Sequence, residues 1–303
     1  MKSIREQFGF TLANLGKKNH NIIAISCDLQ SACKLSLFAK KFPKRFIEVG
    51  IAEANGIGLA AGLAMNKYKP FIASFSSFIT GKNLEIRCSI AYNNAPVVII
   101  GTHGGMIGAD GATQSGLQDI SVMRSMPNFH IYQPCSNIET SQIIYHVSKL
   151  KVPAYVRIAR NIVPEFLPKS YKFKFKKISK IKNGKKFAII SSGPMVYNSI
   201  EAVKKIKKKE DFAIYNLSTI KPLDKKDIIK KLKGYKKIIT IEDHTTEGGI
   251  GSAISEVISS SKYPKNIKML GITDRFINSD SPINIEKQLK LDPKSISKLL
   301  EKI

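Results

Sequence analysis

The segment GIAEANGIGLAAGLA (50–64) has one acidic side chain, Glu53, at the start of an otherwise small and apolar helical pattern. A carboxylate in a first helical turn can simply complement the positive end of the helix dipole. It can also be a buried acid that shares a proton with a ring nitrogen of a ligand. The glycines do not predict a dinucleotide-binding loop, because they lie inside the predicted helix and no acidic residue follows about twenty positions later at a strand end.

The segment PFIASFSSF (70–78) places two aromatic rings, Phe75 and Phe78, where a predicted strand gives way to a loop. Such rings commonly pack in a core. One of them could instead stack on a flat heteroaromatic ligand.

The segment GTHGGMIGADGATQSGLQD (101–119) combines six glycines with His103, Asp110 and Gln114 directly after a hydrophobic strand. Open α/β sheets bind ligands at the carboxyl ends of their strands. The pattern therefore favours a binding loop, although a mobile surface loop fits the same residues.

Two further segments could bind an anion. AYVRIAR (154–160) places Arg157 and Arg160 at a strand end, where a guanidinium suits a phosphate or carboxylate but can equally form a surface ion pair. TTEGGIGSA (245–253) starts a predicted helix whose free N–H groups could bind an anion, although tight packing and subunit contact account better for its glycines.

These candidate residues depend on an α/β scaffold. Short β-branched runs separated by amphipathic helical patterns predict parallel sheets covered on both faces. We expect two doubly wound domains, with helices at about 3–17, 51–65 and 137–150 among others. The predicted strands are 22–26, 45–49, 70–75, 96–102, 130–134, 154–159, 187–193, 212–219, 237–243 and 267–273.

The domain boundaries follow from length and composition. A chain of 303 residues fits two domains. Residues 163–185 hold two prolines and many lysines, which indicates a linker or an edge hairpin. We therefore expect a first domain at 1–165, a linker at 166–185 and a second domain at 186–303.

Composition excludes several classes of protein. Hydrophobic residues make up 43% and charged residues 24% of the chain, which is ordinary globular usage and not that of a disordered or fibrous protein. The four cysteines include no C-x-x-C pair, so no zinc ribbon is indicated. No apolar run reaches about 18 residues, and the N-terminus lacks the apolar region of a signal peptide. We expect a cytoplasmic protein that does not span a membrane.

The net charge of +26 raises the possibility of nucleic-acid binding. The excess is nearly all lysine, densest at 169–186, 204–211 and 225–237, whereas base recognition relies on arginine. A solvated lysine-rich surface is the better explanation, and no nucleic-acid partner is expected. The positive field could still attract phosphorylated substrates.

Taken in order, these segments resemble the carboxy-terminal half of transketolases, above all the smaller chain of the two-subunit transketolases of some prokaryotes. The resemblance covers nearly the whole chain. It implies a thiamine-diphosphate pyrimidine-binding domain with a mostly parallel sheet, followed by a smaller transketolase C-terminal-like α/β domain. The segments that carry it are REQFGFTL (5–12), SCDL (26–29), GIAEANGIGLAAGLA (50–64), FIASFSSF (71–78), IAYNNAPVVIIGTHGGMIGADGAT (90–113) and EDHTTEGGIGSAISEV (242–257).

The resemblance also implies roles for the candidate residues. Glu53 matches the glutamate that hydrogen-bonds N1′ of the aminopyrimidine and is catalytic. Phe75, Phe78 and Asp28 match residues at the cofactor. His103 and Asp110 match residues that contact hydroxyls of the donor sugar, and His103 is also a catalytic candidate. Arg5 and Arg160 match residues that contact a substrate phosphate.

The sequence departs from the family pattern at two positions. Gln114 occupies a place where the family usually has histidine, and glutamine cannot carry a proton. This change puts the sugar specificity, or the activity itself, in question. Ile72 replaces an aromatic residue at the pyrimidine site, which is a smaller change.

The chain lacks the G-D-G…N pair through which the family anchors thiamine diphosphate and Mg2+. Its G-A-D-G at 108–111 is followed by Asn128 on a short connection, so no residue is assigned to a metal. The resemblance therefore implies a partner, an N-terminal transketolase subunit that carries the diphosphate-binding half, in an α2β2 assembly.

The resemblance implies transfer of a two-carbon ketol unit from a ketose to an aldose, either of which could be phosphorylated. Two related families share parts of the pattern: the beta chains of 2-oxo-acid dehydrogenase E1 components and the deoxyxylulose-phosphate synthases. A non-catalytic homologue that retains the fold is the alternative from a different class.

Overall fold

The computed structural model describes residues 3–303, which form twelve strands and twelve α-helices. The strands are β1 (Ile22–Ser26), β2 (Phe46–Glu48), β3 (Lys69–Phe75), β4 (Val98–Thr102), β5 (His130–Tyr132), β6 (Ala154–Ile158), β7 (Ser179–Lys182), β8 (Phe187–Ser191), β9 (Phe212–Asn216), β10 (Thr219–Lys221), β11 (Lys237–Thr245) and β12 (Asn266–Ile272). The helices are α1 (Ile4–Lys18), α2 (Ser36–Lys41), α3 (Glu53–Met65), α4 (Ser76–Thr80), α5 (Asn83–Glu85), α6 (Asp119–Ser125), α7 (Asn137–Val147), α8 (Met195–Lys204), α9 (Lys225–Leu232), α10 (Ile250–Ser259), α11 (Pro282–Gln288) and α12 (Pro293–Leu300).

The first sheet has seven strands in the order β10-β5-β6-β4-β3-β1-β2. All of its pairings are parallel except that of β10 with β5. Strands β1, β4 and β6 are buried along their whole length, as expected where helices cover both faces of a parallel sheet. The mostly parallel α/β architecture expected from the sequence is confirmed.

The second sheet has five strands in the order β12-β11-β8-β9-β7. Four of them are mutually parallel, and β7 lies antiparallel to β9 at the edge. Strand β7 comes from the lysine-rich segment that the sequence assigned to a linker or an edge hairpin. It does lie at an edge, but it pairs with a strand that is not its neighbour in the chain, so it forms no hairpin.

The strand predicted at 212–219 is in fact two strands that belong to different sheets. Strand β9 joins the second sheet, and β10 joins the first. Between them the Leu217 amide donates to the carbonyl of Ser191 (2.8 Å), and the Gln133 amide donates to the carbonyl of Ser218 (3.0 Å). The two sheets are therefore linked by backbone hydrogen bonds.

Helix α3 packs closely on the first sheet because one of its small residues faces a strand. A Cβ added at Gly56 would lie 2.9 Å from Ile72 Cδ1, closer than side chains tolerate. A Cβ added at Gly58 or Gly62 would have no neighbouring atom within 4 Å among the described residues. The expected tight packing therefore holds for one face of α3, while a second glycine-bearing face is open.

Arg157 belongs to a buried ionic network and not to a ligand site or to the surface, which corrects both interpretations of its position. Its guanidinium lies 2.9 Å from Asp119 and 2.6 Å from Asp243, a residue of β11, and Tyr155 donates to Asp119 (2.6 Å). All three members of the ion pairs are buried. Burial disfavours the charged guanidinium, but the two carboxylates outweigh that effect and raise the pKa of Arg157. The network connects the two sheets.

His244 reinforces the same junction from the end of β11. Its Nε2 accepts from the amides of Ile120 (3.1 Å) and Ser121 (3.4 Å) in the first turn of α6. Its Nδ1 lies 2.7 Å from the carbonyl of Thr245, to which it donates. Burial lowers the pKa of His244 to about 4, so the ring is neutral near pH 7 and can accept in this way.

The start of α10, where the sequence suggested an anion site, is filled by a carboxylate of this chain. Glu242 accepts from the amides of Ile250 (2.7 Å) and Gly251 (3.0 Å). The N-terminal amides of the helix therefore already have their hydrogen-bond acceptor. In residues 3–303 no helix is both long and apolar enough to cross a membrane.

Candidate active site

Glu53 begins α3 at the carboxyl edge of the first sheet and is only 6% exposed. One of its carboxylate oxygens accepts from Ser74 Oγ (2.9 Å), and Ser74 lies on the neighbouring strand β3. Within residues 3–303 the other oxygen receives no hydrogen bond. This second oxygen is not among the buried atoms that lack a partner, so it is the accessible end of an otherwise buried side chain and is available to a ligand.

Phe75 and Phe78 form an aromatic pair beside this carboxyl. Phe75 ends β3 one residue after Ser74, and its ring stacks on Phe78 with centroids 5.3 Å apart. The ring of Phe75 also lies 3.8 Å from that of His103. Both phenylalanines are half-buried, so they form a flat apolar surface that is not sealed in the core.

His103 follows β4 in the left-handed region (φ +56°) and is almost fully buried. Its Nε2 lies 3.1 Å from Arg5 Nη1, and its Nδ1 lies 3.0 Å from Thr102 Oγ1. Because a guanidinium only donates, Nε2 accepts and the ring proton is on Nδ1. Burial, followed by the charges of Arg5, Arg160 and Lys34, lowers the pKa of His103 to about 3. The imidazole is therefore a neutral hydrogen-bonding group near pH 7.

The two arginines predicted to contact a phosphate both lie near His103. Arg5 projects from α1 and donates to the carbonyl of Ala32 (2.9 Å), and its buried Nε has no hydrogen-bond partner in the described part of the chain. Arg160 forms a partly exposed ion pair with Asp110. Burial and the charge of Arg160 lower the pKa of Arg5, which agrees with the two cations being near each other. The arrangement offers positive charge and donors to an anionic group.

Gln114 lies in the glycine-rich loop against α4. Its backbone carbonyl accepts from Ser77 Oγ (2.9 Å), which places it next to the Phe75–Phe78 pair. The side chain is half-buried. The side-chain amide of Gln114 can donate and accept hydrogen bonds at this point, but it cannot transfer a proton as a histidine can.

Asp28 is exposed and lies in the left-handed turn after β1 (φ +58°). Its amide donates to Glu48 (2.6 Å), and the amide of Gly50 donates to the same oxygen (3.0 Å). Burial opposes the charge on Glu48, but these hydrogen bonds prevail and lower its pKa. Glu48 thereby ties the turn at Asp28 to the turn that leads into Glu53.

Three residues of the site were missed in the sequence. Ser74 orients Glu53, Glu48 fixes the two turns, and Lys34 adds a third positive charge near His103. The only sequence signal for Ser74 is its place next to Phe75 at a strand end. Nothing in the sequence distinguishes Lys34 from the many other lysines. Its position depends on the close approach of its backbone to α1, where a Cβ added at Gly9 would lie 2.1 Å from the Lys34 carbonyl oxygen.

The residues of this edge suit the pyrimidine half of thiamine diphosphate but not its diphosphate half. The open oxygen of Glu53 can bind a ring nitrogen, and the Phe75–Phe78 pair can contact a flat ring. In contrast, no group of three or more His, Cys, Asp or Glu side chains that could hold a metal ion occurs in residues 3–303.

Two linked α/β sheets, the first of them mostly parallel, are the architecture expected of a transketolase-type protein. Residues 1–165 match the transketolase pyrimidine-binding domain, and residues 176–296 match the transketolase C-terminal domain. The chain belongs to the transketolase family.

Similar proteins include both short chains and longer enzymes. The chain is 37% identical to the "Putative transketolase C-terminal section" of Methanocaldococcus jannaschii, covering 98% of this chain and 95% of that one. It is 32% identical to a subunit of the apulose-4-phosphate transketolase of Phocaeicola vulgatus, covering 98% and 96%. A solved structure titled split gene transketolase, inactive beta4 tetramer, superposes with a TM-score of 0.91 at 30% identity and covers 100% and 98%.

Against longer relatives the chain corresponds to one half. It is 33% identical to the 1-deoxy-D-xylulose-5-phosphate synthase of Clostridium perfringens over 97% of this chain but only 48% of that enzyme. The transketolase of Campylobacter jejuni shares the fold with a TM-score of 0.83, and the chain covers 46% of it. The chain thus spans nearly the whole length of these short relatives and about half the length of the longer enzymes.

Proposed function

We propose that the chain is the C-terminal subunit of a two-subunit transketolase that transfers a two-carbon ketol unit from a ketose or ketose phosphate to an aldose or aldose phosphate. The observation that carries this proposal is the buried Glu53 carboxyl, which has one oxygen held by Ser74 and the other open beside an aromatic pair. In a family whose cofactor is thiamine diphosphate, a carboxyl in this position is suited to contact the aminopyrimidine.

Thiamine diphosphate, when bound, supplies the carbanion chemistry that breaks and forms the carbon–carbon bonds. Glu53 would hold a proton against a ring nitrogen of the pyrimidine, and Ser74 keeps the carboxyl in place for this contact. Phe75 and Phe78 would orient the ring and exclude water from it. The role proposed for Asp28 is to line the cofactor site, from the turn that Glu48 holds.

The substrate would lie against the glycine-rich loop. The roles proposed for Asp110, Gln114 and the neutral His103 are hydrogen bonds to sugar hydroxyls, for which His103 Nε2 would exchange its present contact with Arg5. Arg5 and Arg160 would bind a phosphate at the far end of the sugar. A relative named for apulose-4-phosphate supports a phosphorylated substrate.

The diphosphate and its Mg2+ would be held by a partner, an N-terminal transketolase subunit. Exposed residues around α3 support this proposal: Ile51, two positions before Glu53, is 85% exposed, and Met65 at the far end of α3 is largely exposed. Gly58 and Gly62 leave room for close approach. The half-length coverage of one-piece relatives supports a missing half of similar size. An α2β2 assembly in the cytoplasm, with two active sites, completes the proposal.

The experiment is reconstitution. The chain is mixed with the N-terminal subunit of the same organism, thiamine diphosphate and Mg2+, and the transfer from a ketose phosphate to an aldose phosphate is measured. We expect transfer only when all components are present. A complete mixture without transfer would contradict the proposal and leave a non-catalytic homologue.

The Glu53→Gln variant tests the site itself. It should lower turnover by roughly 10²- to 10⁴-fold, which is the usual contribution of a positioned proton-transfer group. The matched control is Glu201→Gln, an i,i+3 ion-pair glutamate on α8, which should keep full activity. Near-normal transfer by Glu53→Gln would show that Glu53 is not the catalytic carboxyl.

A second candidate function rests on the 33% identity to 1-deoxy-D-xylulose-5-phosphate synthase. That family, like the E1 components of 2-oxo-acid dehydrogenases, uses a 2-oxo acid as donor. The same reconstituted complex should be offered pyruvate in place of the ketose. Product from pyruvate, and none from a ketose, would favour this second function.

A further inference from the structure

The glycine-rich loop, residues 104–116, is closed at its base. The Gly105 amide donates to the carbonyl of Gly116 (2.9 Å), and Gly104 forms a β-bridge with Gly116. The loop therefore leaves and re-enters the sheet edge at one point. Its intervening residues must be held by something other than the strands of the first domain.

The second domain provides that support through its hydrophobic core. Met106, within the loop, and Leu117, just after it, are buried in the same cluster as Ile241 and Ile272 of the second sheet and Ile285 of α11. In addition, the Thr245 amide donates to the carbonyl of Leu117 (2.8 Å). Both ends of the loop are thus anchored in the second domain.

Contacts of backbone atoms with the second domain fix the path between these anchors. Gly105 and Gly108 lie in the left-handed region (φ +88° and +97°). A Cβ at Gly105 would lie 2.3 Å from Asp243 Oδ2, and one at Gly108 would lie 2.8 Å from the ring of Pro282. Only glycine allows these approaches with this backbone.

One hydrogen bond acts directly beside Asp110. Ser279 Oγ donates to the carbonyl of Ala109, the residue that precedes Asp110. Asp110 in turn forms its ion pair with Arg160, whose Nη1 also donates to the Ile107 carbonyl (3.3 Å). The segment from Ser279 to Pro282 thus contacts the loop at Gly108 and Ala109, immediately before its charged residue.

We propose that the second domain sets the geometry of the substrate loop, with Ser279 and Pro282 as positioning residues for Asp110 and so for recognition of the donor sugar. This inference rests on the proposed function in assigning the loop to a sugar polyol. It gives the second domain, for which the sequence suggested only a possible anion site at 245–253, a part in substrate specificity.

The first test measures hydrogen exchange of the backbone amides at 106–112 in the chain without any partner. Ser279→Ala should speed exchange there by roughly two- to tenfold, the effect of one lost hydrogen bond. Ser260→Ala, which removes a serine–carbonyl bond elsewhere in the second domain, is the control and should leave these amides unchanged. Unchanged exchange in Ser279→Ala would overturn the proposal.

The second test separates the contact with Pro282 from backbone strain. Gly108→Ala and Gly111→Ala both place alanine at a positive φ, but only the first meets Pro282; the nearest atom to a Cβ at Gly111 is 3.7 Å away. Gly108→Ala should therefore loosen the loop more, and Gly108→Ala/Pro282→Ala should recover part of the difference. Equal effects of both alanines, without recovery, would show strain alone and overturn the role of Pro282.

The kinetic test uses the reconstituted complex. Ser279→Ala should raise KM for the ketose donor several-fold with kcat nearly unchanged, because only the fit of the sugar is altered. An unchanged KM would overturn the role in specificity. If the wild-type complex showed no transfer at all, the proposed function would fail, while the exchange measurements would still decide whether the second domain holds the loop.

Discussion

The two sheets present charged residues at the same place, the carboxyl ends of their strands, but use them in opposite ways. At the first sheet Glu53 has an oxygen without a donor, and Arg5 has a buried Nε without an acceptor, among the residues at 3–303. At the second sheet Glu242 is bonded to two amides of α10, and Asp243 is bonded to Arg157 and Gln133. The charged groups of the first edge are left to receive a ligand, whereas Glu242 and Asp243 of the second are bonded within the chain. In the described part of the chain, the buried atoms without a partner at the second edge, Ser192 Oγ and Asn216 Oδ1, belong to neutral side chains.

This difference shows that the presence of acids and glycines at a strand end does not identify a site. Both edges have a glycine-rich segment, and both have a buried glutamate near a helix start. What separates them is whether the chain provides the hydrogen-bond partners. At the first edge the Nε of the Arg5 guanidinium is, within the described residues, a buried donor without an acceptor, which is costly unless a ligand completes it.

The largest expected effect comes from removing the centre of the internal network. Arg157→Ala leaves Asp119 and Asp243 buried without a cation and should lower the free energy of unfolding by about 3–5 kcal/mol. Arg160→Ala removes a partly exposed pair and should lower it by about 1 kcal/mol or less. Urea denaturation of both variants measures the contrast. Equal losses would erase the distinction between the two edges.

A smaller effect is expected from the pH dependence that Glu242 imposes. Burial raises its pKa to about 8, although the amides of Gly251 and Ile250 act against this. Because the folded pKa lies above the unfolded value of 4.5, the stabilisation is complete below pH 4.5 and is lost as the pH rises through 8.

Thermal unfolding between pH 4.5 and 8.5 tests this slope. It should flatten in Glu242→Gln, which stays neutral, and persist in Glu256→Gln, which removes an exposed partner of Arg124. A slope that is the same in Glu242→Gln and the wild type would assign the pH dependence to other groups.

The contribution of His244 to the pH dependence of stability should have the opposite sign and lie in a lower pH range. Its pKa is lowered from 6.5 to about 4 by burial, so the unfolded chain takes up the proton first and stability falls as the pH drops from 6.5 through 4. The loss is on the order of 3 kcal/mol at most. His244→Gln should weaken the acid limb of the stability curve, measured by urea denaturation at pH 4 to 7. An unaltered acid limb would mean that His244 is protonated without cost.

The smallest effect concerns the open edge. Ser74→Ala removes the single donor to Glu53, and the loss of about 1 kcal/mol of hydrogen bonding should appear mainly in turnover, as a decrease of roughly two- to tenfold. The free energy of unfolding should change little, because the cofactor site is not part of the internal network. A large loss of stability with normal turnover would assign Ser74 to the core instead.

Much of the fold follows from local patterns in the sequence. The predicted strand at 22–26 is β1, and the apolar runs at 98–102 and 154–158 are buried strands as expected. Glu53 was identifiable because it is the only acid in an apolar helix. The break between β9 and β10 at residues 217–218 could not be predicted in this way. Both halves of FAIYNLST have the same β-forming composition, and only tertiary hydrogen bonds assign them to different sheets.

The site was predictable in its residue types but not in its completeness. Arg157 and Arg160 lie three positions apart in the same motif. Arg157 pairs with Asp119 and Asp243, which are 38 and 86 positions away, whereas Arg160 pairs with Asp110 of the glycine-rich loop. Sequence spacing gives no information about such distant partners. For the same reason the cap of α10 by Glu242 could not be foreseen.

The interleaving of the sheets limits how this polypeptide can be divided. Strand β10 borders β5 in the first sheet although it follows β9 of the second. A fragment ending at residue 165 would lack β10 and expose the backbone of β5 as a bare edge, which invites association with other strands. A chimaera built from two relatives would fold only if β10 (219–221) came from the same relative as the rest of the first sheet.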